Sequence, residues 1–144
     1  MAQKHWILTA NASVARLFER SGMTAPLTEL ADWMHAEGSM RASELERAPL
    51  GHSLGVRPGL APRTDPQRRA RHAFAHELAD WLHEAVLAHR ITDITVLASN
   101  PFLGELLAQL DSGVQKMVTA HHPLDLTALS VQALDHKVRA DFSL

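Results

Sequence analysis

The sequence of 144 residues contains no cysteine. It therefore has no thiol nucleophile, no cysteine-ligated zinc or iron–sulfur cluster and no disulfide, which fits a reducing compartment. It also lacks an apolar run near the ~20 residues of a membrane span. The apolar run from Trp6 to Ala10 is shorter than the apolar part of a signal peptide, about 7–15 residues. We therefore expect a cytoplasmic protein of a bacterium or archaeon, without a membrane partner.

The composition is that of an ordinary globular domain. Apolar residues make up 46% of the chain, close to the average of about 45–50% for globular proteins. A chain of this length corresponds to about one domain and can bury a large core without a metal or disulfide. We therefore predict that residues 1–144 form a single domain, whose oligomeric state the sequence leaves open.

Basic side chains are concentrated in one segment, although the net charge is −2. Residues 57–72 contain a single acidic residue, Asp65, whereas the segments on either side carry more acidic than basic residues. Guanidinium groups bind phosphates in a bidentate geometry, so this segment predicts an anionic partner. Nucleic acid is favoured over a membrane surface because no amphipathic apolar face accompanies the arginines. A solvated charged face is the alternative. The predicted binding residues are Arg57, Arg63, Arg68, Arg69 and Arg71.

The first third of the sequence predicts three strands. Residues 4–10 are nearly all apolar, the Asn-Ala-Ser sequence at 11–13 favours a turn, and residues 14–20 alternate. A third strand is predicted at about residues 27–33, although the same residues also fit a helical period.

A long loop follows from about residue 37 to residue 64. It is rich in glycine and proline, and loops of this length in compact domains are usually functional or disordered. The predicted binding residues within this loop are Gly51, His52, Gly55 and Gly59.

The second half alternates helices and strands. Thr64 or Asp65 predicts the N-cap of a helix that begins near Pro66 and extends to about His89 or Arg90. A strand at 93–98, a helix at 101–110, a strand at 114–120 and a final helix from Ser130 to about residue 139 follow. Because crossovers between parallel strands are right-handed, this order predicts an α/β fold with a five-stranded mixed sheet. The strand order would be 3-2-1-4-5, the ribonuclease-H-like arrangement.

The signals for catalysis are few. A two-metal nuclease needs several carboxylates, and Glu77 alone lies where such a site requires one. His72, His76 and Asp80 have helical i, i+4, i+8 spacing, which makes them weak metal candidates beside the alternative of an exposed polar face. No Gly-x-Ser-x-Gly motif is present. We expect no cofactor and favour a protein that is not an enzyme.

Several segments resemble the bacterial family named for attachment to host cells. They are residues 6–19 (WILTANASVARLFE), 62–66 (PRTDP), 74–79 (FAHELA), 100–104 (NPFLG) and 125–130 (DLTALS). That family is similar to the middle domain of archaeal and eukaryotic class-1 peptide release factors. The resemblance implies a release-factor-like domain that binds the ribosome, tRNA or other RNA. In release factors the corresponding loop carries Gly-Gly-Gln. The loop here has neither adjacent glycines nor glutamine, so we predict no peptidyl-tRNA hydrolysis of that type.

Two other functions remain open. The first is a protein-interaction module required for attachment to host cells, with a protein partner. The second is a hydrolase of an ester or phosphodiester in which His52, His72 or His76 acts as the base.

Overall fold

A computed structural model describes residues 4–35 and 66–144 of the chain. Its five strands form one mixed sheet in the order β3-β2-β1-β4-β5, as predicted from the sequence. β1 pairs antiparallel with β2 and parallel with β4, while β3 and β5 are the outer strands among the described residues. The strands are β1 (His5–Ala10), β2 (Val14–Arg20), β3 (Thr28–Met34), β4 (Asp93–Ala98) and β5 (Val118–His122).

The central strand β1 is buried on both faces, which explains its continuous apolar sequence. Trp6 and Leu8 belong to a large core cluster on one face of the sheet, and Ile7 belongs to a smaller cluster on the other face. The turn from β1 to β2 is held by Asn11, whose side-chain oxygen accepts hydrogen bonds from the backbone N–H groups of Ser13 and Val14, both at 2.8 Å. This is the local side-chain-to-backbone bonding for which asparagine is favoured in turns.

Four helices within residues 66–144 cover the sheet. Helix α1 (Pro66–Leu87) buries Phe74, Leu78 and Leu82, spaced by four residues along one face. Helix α2 (Phe102–Gln109) packs beside it, and the rings of Phe74 and Phe102 lie 5.5 Å apart. The other two helices are α3 (Ser112–Gln115) and α4 (Val131–Phe142).

Helix α4 covers the opposite face of the sheet. Its Leu134 and Val138 pack with Ile7, Phe18 and Leu97 in the smaller cluster. The hydroxyl oxygen of Ser130 accepts a hydrogen bond from the backbone N–H of Ala133 at 3.1 Å, so the predicted cap is confirmed. No described helix combines the length and the apolar character needed to cross a membrane.

The predicted boundaries of two elements are wrong. The strand predicted at 114–120 is Val118–His122, because Asp111 accepts a hydrogen bond from the backbone N–H of Val114 and begins the short helix α3 there. The helix predicted to reach His89 or Arg90 ends at Leu87 because His89 adopts a left-handed conformation, with φ of 55°.

Candidate functional site

The structure separates the predicted arginines into different environments. Arg57 and Arg63 lie outside the described residues. Arg68 and Arg69 are exposed on the first turns of α1, whereas Arg71 is half-buried and bonds Glu105 on α2 at 3.2 Å. The charge of Arg71 is therefore neutralised by a contact within the fold. The predicted loop residues Gly51, His52, Gly55 and Gly59 also lie outside the described residues.

The histidine stripe on α1 is exposed and bonded to neighbouring polar groups. Gln109 on α2 contacts both rings: its Nε2 lies 3.3 Å from Nδ1 of His72, and its Oε1 lies 3.1 Å from Nδ1 of His76. His76 also lies 3.3 Å from Asp80. Within residues 4–35 and 66–144, no three histidine, aspartate or glutamate side chains are grouped so as to hold a metal ion.

A group of hydrogen-bonded polar side chains, which we call the polar crevice, lies at the carboxyl end of β1, a strand that runs parallel to β4. In open α/β sheets, ligands bind outside the carboxyl ends of the strands where the strand order reverses. The amide of Asn11 donates hydrogen bonds to Asp125 at 2.9 Å and to Thr127 at 3.2 Å. Asp125 also accepts a hydrogen bond from the hydroxyl of Thr127 at 2.6 Å. The crevice is thus crossed by the segment that connects β5 to α4.

Arg16 fixes the same connecting segment from the neighbouring strand. Its guanidinium donates hydrogen bonds to the carbonyl oxygens of Thr127 and Leu129 at 2.9 and 2.6 Å. It also forms a bidentate ion pair with Glu29 on β3, at 2.9 and 3.0 Å. The hydrogen bond from Arg16 holds the pKa of Glu29 below its usual value.

The electrostatics of the crevice favour a structural role. Burial raises the pKa of Asp125, but hydrogen bonds from Thr127 and Asn11 outweigh this effect, so the pKa lies below its usual value. A carboxylate with a lowered pKa stays ionised at neutral pH and is a poor general acid. The polar groups of the crevice form hydrogen bonds with one another, and these bonds hold the segment between β5 and α4 in place.

The outer side of β3 is a surface that the sequence did not single out. Thr28, Leu30, Asp32 and Met34 are exposed; the pairing register places Asp32 and Met34 on one face of the sheet and Thr28 on the other. Met34 is 87% exposed and Leu30 is 38% exposed, and Met23, in the turn before β3, is 66% exposed. We call these three residues the β3 edge. Their alternation with polar residues was visible in the sequence, but their exposure depends on β3 being an outer strand.

A bulge shapes this edge. Leu17 pairs with Ala31 and Phe18 pairs with Glu29, so Leu30 is the extra residue on β3. Bulges and charged residues on outer strands disfavour the addition of another strand. A partner would therefore contact the apolar side chains of the β3 edge and would not add a strand to the sheet through backbone hydrogen bonds.

A comparison with protein families identifies the relatives of this chain. Residues 6–138 match the family described as protein required for attachment to host cells. The chain belongs to this family. The resemblance inferred from the sequence is confirmed for the host-attachment family, whereas the similarity to release factors is not shown. No curated protein matches the chain at a significant level.

The solved structures that match this chain have low sequence identity to it. An archaeal protein superimposes with a TM-score of 0.50 and 12% identity, over 96% of this chain and 33% of that chain. A Ppx/GppA phosphatase of Aquifex aeolicus gives a TM-score of 0.42 and 7% identity, over 83% of this chain and 35% of that one. A chain of the PilM-PilN type IV pilus biogenesis complex gives 0.42 and 14%, over 94% and 42%. The host-attachment chain thus spans 33–42% of the length of these proteins, and the identities are too low to indicate more than a similar fold.

Proposed function

We propose that this member of the host-attachment family is a protein-interaction module that supports attachment, and that the β3 edge contacts its protein partner. Membership of the family supports the role in attachment. The observation that carries the choice of surface is the exposure of three large apolar side chains along one outer strand and its turn. Exposed apolar side chains that form a contiguous patch are typical of protein contact surfaces.

The test is an attachment assay with a strain that lacks the native gene and expresses a variant. We expect the double substitution Met23→Glu and Met34→Glu to reduce attachment strongly, because it places two charges on the contact surface. The matched control is Leu87→Glu, which changes an apolar side chain of 61% exposure on α1. Attachment by the double variant at the level of the native protein would contradict the proposal, once its melting temperature shows that it is folded.

A second candidate function is contact with ribosomal RNA or tRNA. It is supported by Arg68 and Arg69, which are exposed and have no hydrogen bond or ion pair within the described part of the chain. Phosphate contacts by such residues make binding strongly dependent on salt. Arg57, Arg63 and Arg71 complete the proposed set, with Arg71 held by Glu105 in the structure.

Co-sedimentation with ribosomes at low and high salt tests this candidate. We expect the native protein to sediment with ribosomes at low salt and Arg68→Glu to sediment less. Lys116→Glu is the matched control, since it makes the same change of charge at an exposed position on another element. Equal sedimentation of the two variants, or none of the native protein, would exclude binding through these arginines.

A further inference from the structure

A cavity of about 520 Å³ lies at the end of the sheet opposite the polar crevice. It is lined by the start of β1, by Leu30 and by the turn that follows α1. Its volume is within the range of about 300–1,000 Å³ that is typical of sites for small molecules. Two basic side chains, Lys4 and Arg90, line it together with His89 and Thr92.

The turn after α1 positions Arg90. The backbone N–H of Arg90 bonds the carbonyl of Ala85 and that of His89 bonds the carbonyl of Val86, both at 3.0 Å. This pair of bonds, with His89 at φ of 55°, is the Schellman arrangement that ends many helices. Glycine usually occupies the left-handed position, so a histidine there carries conformational strain. The motif directs the chain back so that Arg90 lies beside the core.

The guanidinium of Arg90 is held against two indole rings. Its central carbon lies 5.9 Å from the ring centroid of Trp6 and 5.3 Å from that of Trp81. Trp81 in turn contacts Trp6 at 5.8 Å and Trp33 at 5.3 Å between centroids. An arginine stacked on aromatic rings keeps its N–H groups available at the edge of the guanidinium plane.

The side chains of the two cations have no anionic or hydrogen-bonding partner in the described part of the chain. Neither Arg90 nor Lys4 has an ion pair or a side-chain hydrogen bond there. The acidic residue of the lining, Glu19, accepts a hydrogen bond from the indole N–H of Trp6 at 2.9 Å. The cavity thus contains one cation from the segment before β1 and one from the turn after α1, together with one carboxylate that is already hydrogen-bonded. Its lining therefore has an excess of positive charge.

We propose that this cavity binds the phosphate group of a small phosphorylated molecule. Arg90 contributes a fork of N–H donors, Lys4 a second positive charge, and Thr92 a hydroxyl donor. A phosphate group has enough oxygen atoms and enough negative charge to bond both cations at once. A carboxylate would be fully paired by the guanidinium of Arg90 alone. The site is distinct from the predicted arginine segment and goes beyond the proposed role in attachment.

The sequence offers a direct probe of this site. Its three tryptophans, which are Trp6, Trp33 and Trp81, all belong to the aromatic cluster beneath Arg90, and the chain has no tyrosine. We would titrate the protein with inorganic pyrophosphate at constant ionic strength and record tryptophan emission. We expect a saturable change in emission, and binding that calorimetry detects in the same concentration range.

Substitutions of cavity residues test whether pyrophosphate binds in the cavity. Arg90→Gln and Lys4→Gln should each weaken the affinity measured by calorimetry by roughly tenfold, the effect of losing one charge-assisted contact. Calorimetry is needed because Arg90→Gln also alters the surroundings of the indoles. Lys116→Gln, which removes an exposed cation elsewhere on the surface, should leave the affinity unchanged.

Several outcomes would overturn the proposal. They are the absence of saturable binding of pyrophosphate, native affinity in Arg90→Gln, and binding of acetate as tight as that of phosphate. Titrations with adenosine monophosphate and with inorganic phosphate then distinguish the two kinds of ligand. Tighter binding of the nucleotide would indicate that the site takes an organic phosphate, and equal binding would indicate that it takes the free anion. The attachment assay changes Met23 and Met34, neither of which lines this cavity, so the two proposals can fail independently.

Discussion

Arg20 is the most unusual single residue of the described chain, since it is charged and only 2% exposed. It donates hydrogen bonds to Asp135 on α4 and to the carbonyl of Ala25, both at 2.6 Å. Arg139 bonds the same carboxylate at 2.8 Å and the same carbonyl at 2.9 Å. Two of these four bonds, Arg20 to Asp135 and Arg139 to Ala25, connect α4 to the end of β2 and to the turn after it, across more than 110 residues of sequence.

Removal of the shared carboxylate should be costly. Asp135→Asn leaves the buried guanidinium of Arg20 without a negative partner, and we expect the free energy of unfolding to fall by about 3 kcal/mol. Urea denaturation measures this loss. Asp141→Asn is the matched control, because Asp141 pairs with Lys137 on the surface of the same helix and should contribute no more than about 0.5 kcal/mol. Equal losses in the two variants would show that the Arg20 contact adds no stability.

Acid should destabilise the protein through paired carboxylates. The hydrogen bond from Arg16 lowers the pKa of Glu29. Burial raises the pKa of Asp135, but the hydrogen bonds from Arg20 and Arg139 outweigh it and the pKa is lowered. The folded state therefore binds these protons less tightly than the unfolded chain, whose carboxyl groups titrate near pH 4.

We expect stability to be constant from neutral pH to about pH 5 and to fall as the pH drops through the folded pKa values. Midpoints of urea denaturation measured across this pH range give the dependence of stability on pH. Glu29→Gln should be less stable than the native protein at neutral pH and should lose less on acidification. Parallel profiles for the two proteins would contradict this assignment.

At the scale of the element, the end of α1 depends on a histidine in a left-handed conformation. Such a conformation costs an L-residue about 1–2 kcal/mol, whereas glycine adopts it freely. His89→Gly should therefore stabilise the protein, by about 0.5–1 kcal/mol after the larger entropy of glycine in the unfolded chain is counted. Thermal denaturation checks this. Ala88→Gly, one residue earlier and without a positive φ, should instead lower the melting temperature.

The positions of several strands and helices could be predicted from the sequence. β2 and β4 lie at the predicted residues, and α1 begins at the predicted Pro66, because alternation, continuous apolar runs and proline at a helix start are local signals. β5 was misplaced because the apolar residues at 114–120 suit a strand. The cap formed by Asp111 makes the first part of that run helical.

At the scale of the whole molecule, one sheet separates two apolar clusters. The larger contains Trp6, while Leu134 of α4 packs in the smaller one on the other face. Because β1 contributes to both clusters, loss of one should destabilise the other. We therefore expect a single cooperative unfolding transition.

Leu134→Ala tests this coupling. The side chain is fully buried, and its truncation should cost about 2–5 kcal/mol. Circular dichroism and tryptophan fluorescence should report the same shifted midpoint, although every tryptophan lies on the opposite face. A native midpoint by fluorescence together with a shifted midpoint by circular dichroism would mean that the two faces unfold separately.

The sequence by itself determined the order of strands and helices, the strand order of the sheet and the family, because apolar periodicity, turn residues and short motifs act over a few neighbouring positions. It also placed Arg68 and Arg69 at the start of α1. Tertiary structure decided that Arg71 is neutralised by Glu105 and that β3 exposes Met34. It also brought Arg90 over Trp6, a residue 84 positions earlier in the sequence. Such contacts depend on packing between distant elements, which no local pattern in the sequence specifies.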